Sequence, residues 1–390
     1  MKEAPNFAQR IDRQSGKPYN GQTCFMSIQV GLASEGVFLK MAAPVIANHI
    51  GYCLEVKAGQ RYLWCSCGRS ARQPFCDGSH KGTEFLPVPF VAKKDEDVIF
   101  CGCKHTADRP FCDGTHSNLP GGYRNDDPDS AQNRQIPIVA AQDSPRASLD
   151  GKCYVFSPAR AELCERGTIA YCTVIGPQSG ALFQSQFYIR ATRGQSPVMA
   201  SRARHTVLFI TEGEGEVEIS GHRFPIQSQT GVYIEPDEAF RLDVSSNRMQ
   251  LFVWNGPGAG EMEFLDAMPG NFNASHPDRI AELDPAQRKT MAERFYQLLI
   301  NREHGSEVMT QFIGNIPESK AEPHRHLYEE VLVVLKGDGM VWTENVKTPI
   351  GPGDVLFLPR KQIHSVQCVS PSGLDLVGVI YPGNNPSINY

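Results

Sequence analysis

From about residue 151 onward, short runs of alternating apolar and polar residues are separated by turn residues. Gly215-Glu216-Val217-Glu218-Ile219 is one such run, and Gly353-Asp354-Val355-Leu356-Phe357-Leu358 is another. A period of two puts successive side chains on opposite faces of a strand, so these runs predict antiparallel β sandwiches or barrels. One stretch follows a different period. Asp284-Pro285 offers a helix cap with proline in the first turn, and Met291, Phe295, Leu298 and Leu299 then share a helical face before Gly305. A helix is expected there. Upstream the pattern changes twice. Residues 41–118 are dense in Cys, Gly and His, whereas 119–150 are rich in Pro, Asp, Ser and Gln and read as a linker. Residues 1–40 show little pattern and read as an N-terminal lead-in. The expected architecture is mainly β: a small Cys-rich domain, the linker, a barrel over 151–265, and a helix plus a second barrel over 266–390.

Bulk properties narrow the partners. A chain of 390 residues, 41% hydrophobic and 21% charged, describes a soluble globular protein of several domains. Its net charge of −5 argues against nucleic-acid and anionic-membrane partners. The apolar stretch from Val37 to Ile50 is interrupted by Lys40, Pro44 and Asn48, so no membrane span is expected. Glu3 and Asp12 come early with no apolar signal core, and a cytoplasmic location is expected. The twelve cysteines say more: six of them fall in two tight groups with histidines, which points to metal in a reducing compartment. Cys24, Cys53, Cys153, Cys164, Cys172 and Cys368 lack ligand-like spacing and are expected as buried free thiols.

The first group is Cys65-Ser66-Cys67, eight residues, then Cys76-Asp77-Gly78-Ser79-His80. The second is Cys101-Gly102-Cys103, eight residues, then Cys112-Asp113-Gly114-Thr115-His116. Every candidate ligand recurs 36 positions later, and Pro74-Phe75 recurs as Pro110-Phe111, so the segment is an internal repeat. Two cysteines one residue apart in extended chain project to one side, and a cysteine and histidine four apart face one centre. Asp77 and Asp113 precede glycines that permit a tight entry to that turn. Three thiolates suit iron–sulfur chemistry, while one imidazole in place of a fourth thiolate raises the potential and brings pH dependence. Three cysteines and a histidine are also a zinc set, but zinc modules usually pair their ligands in C-x₂₋₄-C knuckles. His105 lies outside the repeat, opposite Arg69, and is expected on the solvated surface.

Both groups match C-x-C-x₂-[ST]-x₃-P-x-C-D-G-[ST]-H, and in this the segment resembles the CDGSH (NEET) family. The resemblance implies one [2Fe–2S] cluster on Cys65, Cys67, Cys76 and His80, and another on Cys101, Cys103, Cys112 and His116. Family members with one motif per chain are homodimers. The tandem arrangement therefore implies that the two repeats pair with each other.

Near the C-terminus, Pro323-His324-Arg325-His326-Leu327-Tyr328-Glu329-Glu330 places His324, His326 and Glu330 at one parity on an extended chain. His364, beyond Gly353 and Pro359, is expected to reach the same spot from a second strand. Three imidazoles and a carboxylate suit a mononuclear divalent metal with open positions for substrate, water or O₂. These residues resemble the cupin family, with motifs G-x₅-H-x-H-x₃₋₄-E-x₆-G and G-x₅-P-x-G-x₂-H-x₃-N. Glu318, Lys361 and Cys368 depart from those motifs at non-ligand positions. Setting Gly213 on Gly337 makes 151–265 look like a second cupin. Ala200, Arg202 and Thr206 then stand at the ligand positions, and Phe240 or Arg241 stands at the place of His364. That barrel is expected to be metal-free, with His205 structural.

The reading that joins these parts is a non-heme Fe²⁺ cupin oxygenase acting on a small molecule, with built-in clusters as electron donor. Its expected partners are the substrate, O₂ and an external reductant, with a homo-oligomer allowed. No acid or base can be named. The alternatives are a non-redox cupin metalloenzyme (isomerase, decarboxylase or hydrolase) and a ligand-binding cupin regulated by redox-sensing clusters.

Overall fold

The computed structural model describes residues 43–122, 124–141, 144–383 and 385–390, and Pro44–Tyr390 pack as one unit. The lead-in 1–40 and Cys24 lie outside the described residues. Each cysteine repeat supplies two strands: β1 (Tyr52–Val56) and β2 (Arg61–Trp64) from the first, β3 (Val88–Val91) and β4 (Glu96–Phe100) from the second. A repeat this short cannot bury a core by itself. The strands therefore cross over: β1 pairs with β4 and β2 with β3, both antiparallel. Tyr52 faces Phe100 and Val88 faces Trp64, the same pair displaced by the repeat length. Val56, Trp64, Ala92 and Phe100 close the shared core, with Tyr62, Phe75, Phe90 and Phe111 packed around it.

The larger duplication follows the same rule. In the strand Glu329–Lys336, Leu332 and Val334 point into the C-terminal barrel, while Val331 and Val333 point into a core between the barrels. In His205–Glu212, Leu208 and Ile210 point into the N-terminal barrel, while Val207 and Phe209 join the core between. Burial on both faces turns what would be an alternating pattern into a continuous apolar run. The barrels also exchange strands. Tyr154–Phe156, ahead of the first barrel, pairs with Val355–Leu358 of the second, and Ile280–Ala281 pairs with Gly231–Ile234 of the first. A boundary at residue 151 thus cuts through the C-terminal sheet, and one at 265 leaves part of the N-terminal sheet behind.

Parity also places two ties between the barrels. Glu329 faces the inter-barrel side, where its carboxylate accepts from the amides of Gln184 (2.9 Å) and Leu182 (3.3 Å). His205, its counterpart in the first barrel, lies 2.5 Å from the Tyr233 hydroxyl, which donates to Gly305 O. The structural role expected of His205 has this form.

Three expectations are corrected. The helix after Asp284 is only a 3-10 turn, Pro285–Gln287; Asp284 caps it, its side chain accepting from the Ala286 amide. The chain then forms the hairpin Lys289–Met291 and Arg294–Leu298, whose second strand pairs with Thr310–Ile316. Long-range pairing overrode the helical spacing, and the aromatic pair Phe295-Tyr296 suits a strand. The segment read as a linker is held down: Asn125 bridges Ala321, Ile138 bridges Lys347, and Asp126 pairs with the buried Lys320. Among the other cysteines, Cys153, Cys172 and Cys368 are buried, but Cys164 is exposed and Cys53 half-buried. Among the described residues, no helix is long and apolar enough to cross a membrane.

Candidate metal centres

His324 and His364 exchange both backbone hydrogen bonds, each at 3.0 Å, which sets two short segments side by side at the mouth of the C-terminal barrel. Glu330 shares parity with Leu332 and so faces the barrel interior. Each imidazole is oriented by a backbone carbonyl 2.9 Å from its Nδ1: Glu322 O for His324, Tyr328 O for His326 and Gln362 O for His364. With Nδ1–H donating, each Nε2 keeps its lone pair, the arrangement a metal-binding histidine needs. His326 Nε2 lies 3.1 Å from Glu330 Oε2. The ligand atoms of His326, Glu330 and His364 all lie within 4.8 Å of one another. His324 stands beside this triad, its ring 4.7 Å from that of His364 and 6.4 Å from that of His326.

All four residues line a cavity of about 110 Å³ with apolar walls from Phe312, Ile316, Leu332 and Leu376. Arg294, Asn315 and Asn389 add polar groups. Burial holds His364 well below the ordinary imidazole range and His324 at about 4, so both rings stay neutral and free to coordinate.

The cysteine sets have a different geometry. Cys65 and Cys67 Sγ are 3.6 Å apart, and Cys76 Sγ is 3.1 Å from His80 Nδ1. The second set repeats this at 3.5 Å for Cys101–Cys103 and 3.4 Å for Cys112–His116 Nδ1. Each site thus holds one thiol–thiol pair and one thiol–imidazole pair at close range. Asp77 and Asp113 shape both turns alike, each accepting from an amide two residues on (3.0 Å) and from one six residues back (2.8 Å). The Ser79 hydroxyl and these amides hold Asp77 well below the usual carboxylate range.

A family model for the iron-binding zinc finger of CDGSH type matches residues 42–81, and one for the cupin domain matches 316–380. The mitochondrial CDGSH iron-sulfur domain-containing protein 3 of Mus musculus is 49% identical over 55 residues, 14% of this chain and 40% of that protein. Its Homo sapiens relative is 47% identical over 55 residues, 14% and 43%. This chain thus spans less than half of the curated relatives it matches. Similar solved structures include protein Ylba from E. coli (TM-score 0.47, 11% identity, 65% of this chain and 98% of that one). A mutant of Bacillus subtilis oxalate decarboxylase OxdC is another (TM-score 0.46, 10% identity, 59% and 77%).

The chain joins a CDGSH iron-binding domain to a cupin domain.

The CDGSH domain implies a [2Fe–2S] cluster, and the cupin triad suggests a mononuclear metal. The two CDGSH motifs differ in surroundings. His80 is half-buried, whereas His116 is 2% exposed and its Nε2 lies 3.1 Å from Asn389 Oδ1. Asn385 Nδ2 donates to Asp113 O, and Tyr328, whose ring stacks on His326 with centroids 3.9 Å apart, donates to Pro386 O. A hollow lined by both Tyr328 and Cys112 lies at this contact. Asn389 itself lines the cupin cavity. Sequence reasoning missed Asn389, Asn385 and Tyr328, because 273 residues separate His116 from Asn389. It also missed Lys104, fully buried between the motifs, where the gap in the glycine repeat was the available signal. His105, expected in solvent, is half-buried with Nδ1 2.7 Å from Cys103 O. In the N-terminal barrel, Thr206 faces Ile234 as Glu330 faces Leu358, and its hydroxyl donates to Asn255. Arg202 there pairs with Glu263.

Proposed function

We propose that this chain is a cupin oxidoreductase, an oxygenase of a small molecule, with two [2Fe–2S] clusters as its built-in electron donor. Cys65, Cys67, Cys76 and His80 hold one cluster, and Cys101, Cys103, Cys112 and His116 the other. His326, Glu330 and His364, with His324 beside them, hold Fe²⁺. One observation carries the reading: Asn389 bonds the cluster ligand His116 and lines the cavity of the cupin triad. An iron held there supplies Lewis acidity and one-electron chemistry toward O₂. The chain's own residues do the rest. The carbonyls behind the three imidazoles fix their tautomers, the apolar walls exclude water, and Arg294 offers a cation to the substrate's anionic end. Tyr328 stacks on His326 and lines the hollow that Cys112 also lines, so one side chain spans from the cupin site to the edge of the second motif. An external reductant reloads the clusters through the half-open first motif.

The test is to reduce the protein without oxygen and mix it with O₂ and a panel of small carboxylic acids. One acid should accelerate loss of the reduced-cluster signal in the wild type, and His326→Ala should abolish that acceleration while keeping reducible clusters. If a turned-over acid leaves cluster reoxidation unchanged, the electron-donor role is wrong and a non-redox cupin takes its place.

A further inference from the structure

Lys104 breaks the 36-residue repeat. Its counterpart is Gly68, and both have left-handed backbone, φ 77° at Gly68 and 71° at Lys104. Glycine adopts this conformation freely and lysine at a cost. A side chain has no room in the first repeat, where a Cβ on Gly68 would lie 1.7 Å from Val45 O. In the second repeat the side chain is present and fully buried. Its ammonium donates to Cys101 O at 2.9 Å and lies 4.8 Å from the Trp64 ring centroid and 5.8 Å from that of Tyr52. Trp64 immediately precedes Cys65, and its Nε1 donates to the same Cys101 carbonyl at 3.0 Å. The cation therefore sits between the first ligand loop and the second. Burial lowers the pKa of this ammonium, and the neighbouring ligand cysteines Cys65, Cys101, Cys103 and Cys67 act in the opposite sense.

A strained backbone and a desolvated ammonium are two separate costs at one residue, and such costs persist where they serve a site. A cluster of two ferric ions, two sulfides and three thiolates is formally −1 and becomes −2 on taking one electron. A fixed positive charge between two such clusters favours the reduced state of both.

We propose that Lys104 is a positioning charge shared by the two clusters, raising the reduction potential of each. The effect is larger at the second, whose Cys101 carbonyl it touches. The inference rests on the [2Fe–2S] reading, which iron, sulfide and zinc analysis of the wild-type chain checks first. Stoichiometric zinc without sulfide would overturn both.

With iron and sulfide present, reductive titration followed by electron paramagnetic resonance compares the wild type with Lys104→Met, Lys104→Gly and Lys104→Arg. The glycine variant guards against misfolding, because Gly68 shows that this loop forms without a side chain. Lys104→Met and Lys104→Gly should retain their clusters and lower the reduction equilibrium constant by about tenfold or more, ~59 mV per tenfold for one electron. Lys104→Arg should stay close to wild type. Unchanged potentials in cluster-replete Lys104→Met and Lys104→Gly would overturn the proposal, as would loss of clusters from all three variants, which assigns a packing role. Loss from the neutral variants with retention in Lys104→Arg supports it.

Discussion

The first and second CDGSH motifs carry the same donors at the same spacing, yet they face different surroundings. His80 is half-buried, and a Cβ on Gly78 would meet nothing within 4 Å. His116 is buried against Asn389, and a Cβ on Gly114 would lie 2.2 Å from Ser387 Oγ. The two barrels differ in the same sense. At matching register the first holds Thr206, bonded to Asn255, and the second holds Glu330, beside His326. In both duplications the strands of the copies are interlocked, so neither copy closes its sheet or core alone. What the ligand motifs do not share is the chain around them: the C-terminal segment 385–390 bonds His116 and Asp113 of the second motif and lies beside the second barrel's cavity. In each duplication the second copy is the one set against the C-terminal segment, and the first is not.

The barrel comparison should give the largest effect. Replacing both His326 and His364 with Ala should empty the mononuclear site, an affinity loss of about a hundredfold or more, with the clusters intact. Thr206→Ala should leave metal content unchanged. Metal analysis resolved into labile iron and sulfide-linked iron checks this, and metal retained in the double variant would break the comparison.

The glycine comparison comes next. Both Gly78→Ala and Gly114→Ala force a left-handed alanine, about 1–2 kcal/mol. Only Gly114→Ala also collides with Ser387, which adds about 1–3 kcal/mol. Urea unfolding should therefore rank Gly114→Ala as clearly the more destabilised. Equal losses would mean that the C-terminal segment does not press on the second motif.

Acid should separate the clusters by a smaller margin. Protonation of the ligand histidine competes with iron, and burial holds His116 below the ordinary imidazole range. As pH falls, the second cluster should outlast the first by roughly threefold or more in half-life. His80→Cys should remove most of the fast phase. The loss of visible absorbance at stepped pH values is the measurement, and a single phase for both clusters would refute the difference.

The smallest effect belongs to His205 in the N-terminal barrel. Burial lowers its pKa, so the folded chain binds fewer protons than the unfolded one just below the unfolded value of about 6.5. Its contribution to stability is complete above that pH and declines as pH falls toward the folded pKa. His205→Gln should flatten this acid-side slope in urea titrations without changing metal content.

Much of the site was legible because its donors are local. Cys65 and Cys67, or His326 and Glu330, are close in the chain, and spacing alone brings them to one side. The pairing of His324 with His364 was legible less directly, through the expected second strand. The helix after Asp284 was misread because the apolar spacing of 291–299 fits a helix, while pairing with 310–316 decided for a strand. The linker was misread because polar composition does not reveal an anchor such as Lys320 beneath Asp126.

The sequence by itself determined which atoms can hold metal, the internal repeat of 36, and the alternation that sends Glu330 into the barrel and Glu329 out of it. Tertiary structure alone decided that His116 meets Asn389 and that Lys104 lies between two ligand loops. It also brought His116 and the cupin cavity to one side chain, Asn389. The physical reason is range. Ligand spacing is a property of a few consecutive residues, whereas burial, local dielectric and neighbouring charge come from segments up to 273 positions apart. Those surroundings make two identical donor sets unequal.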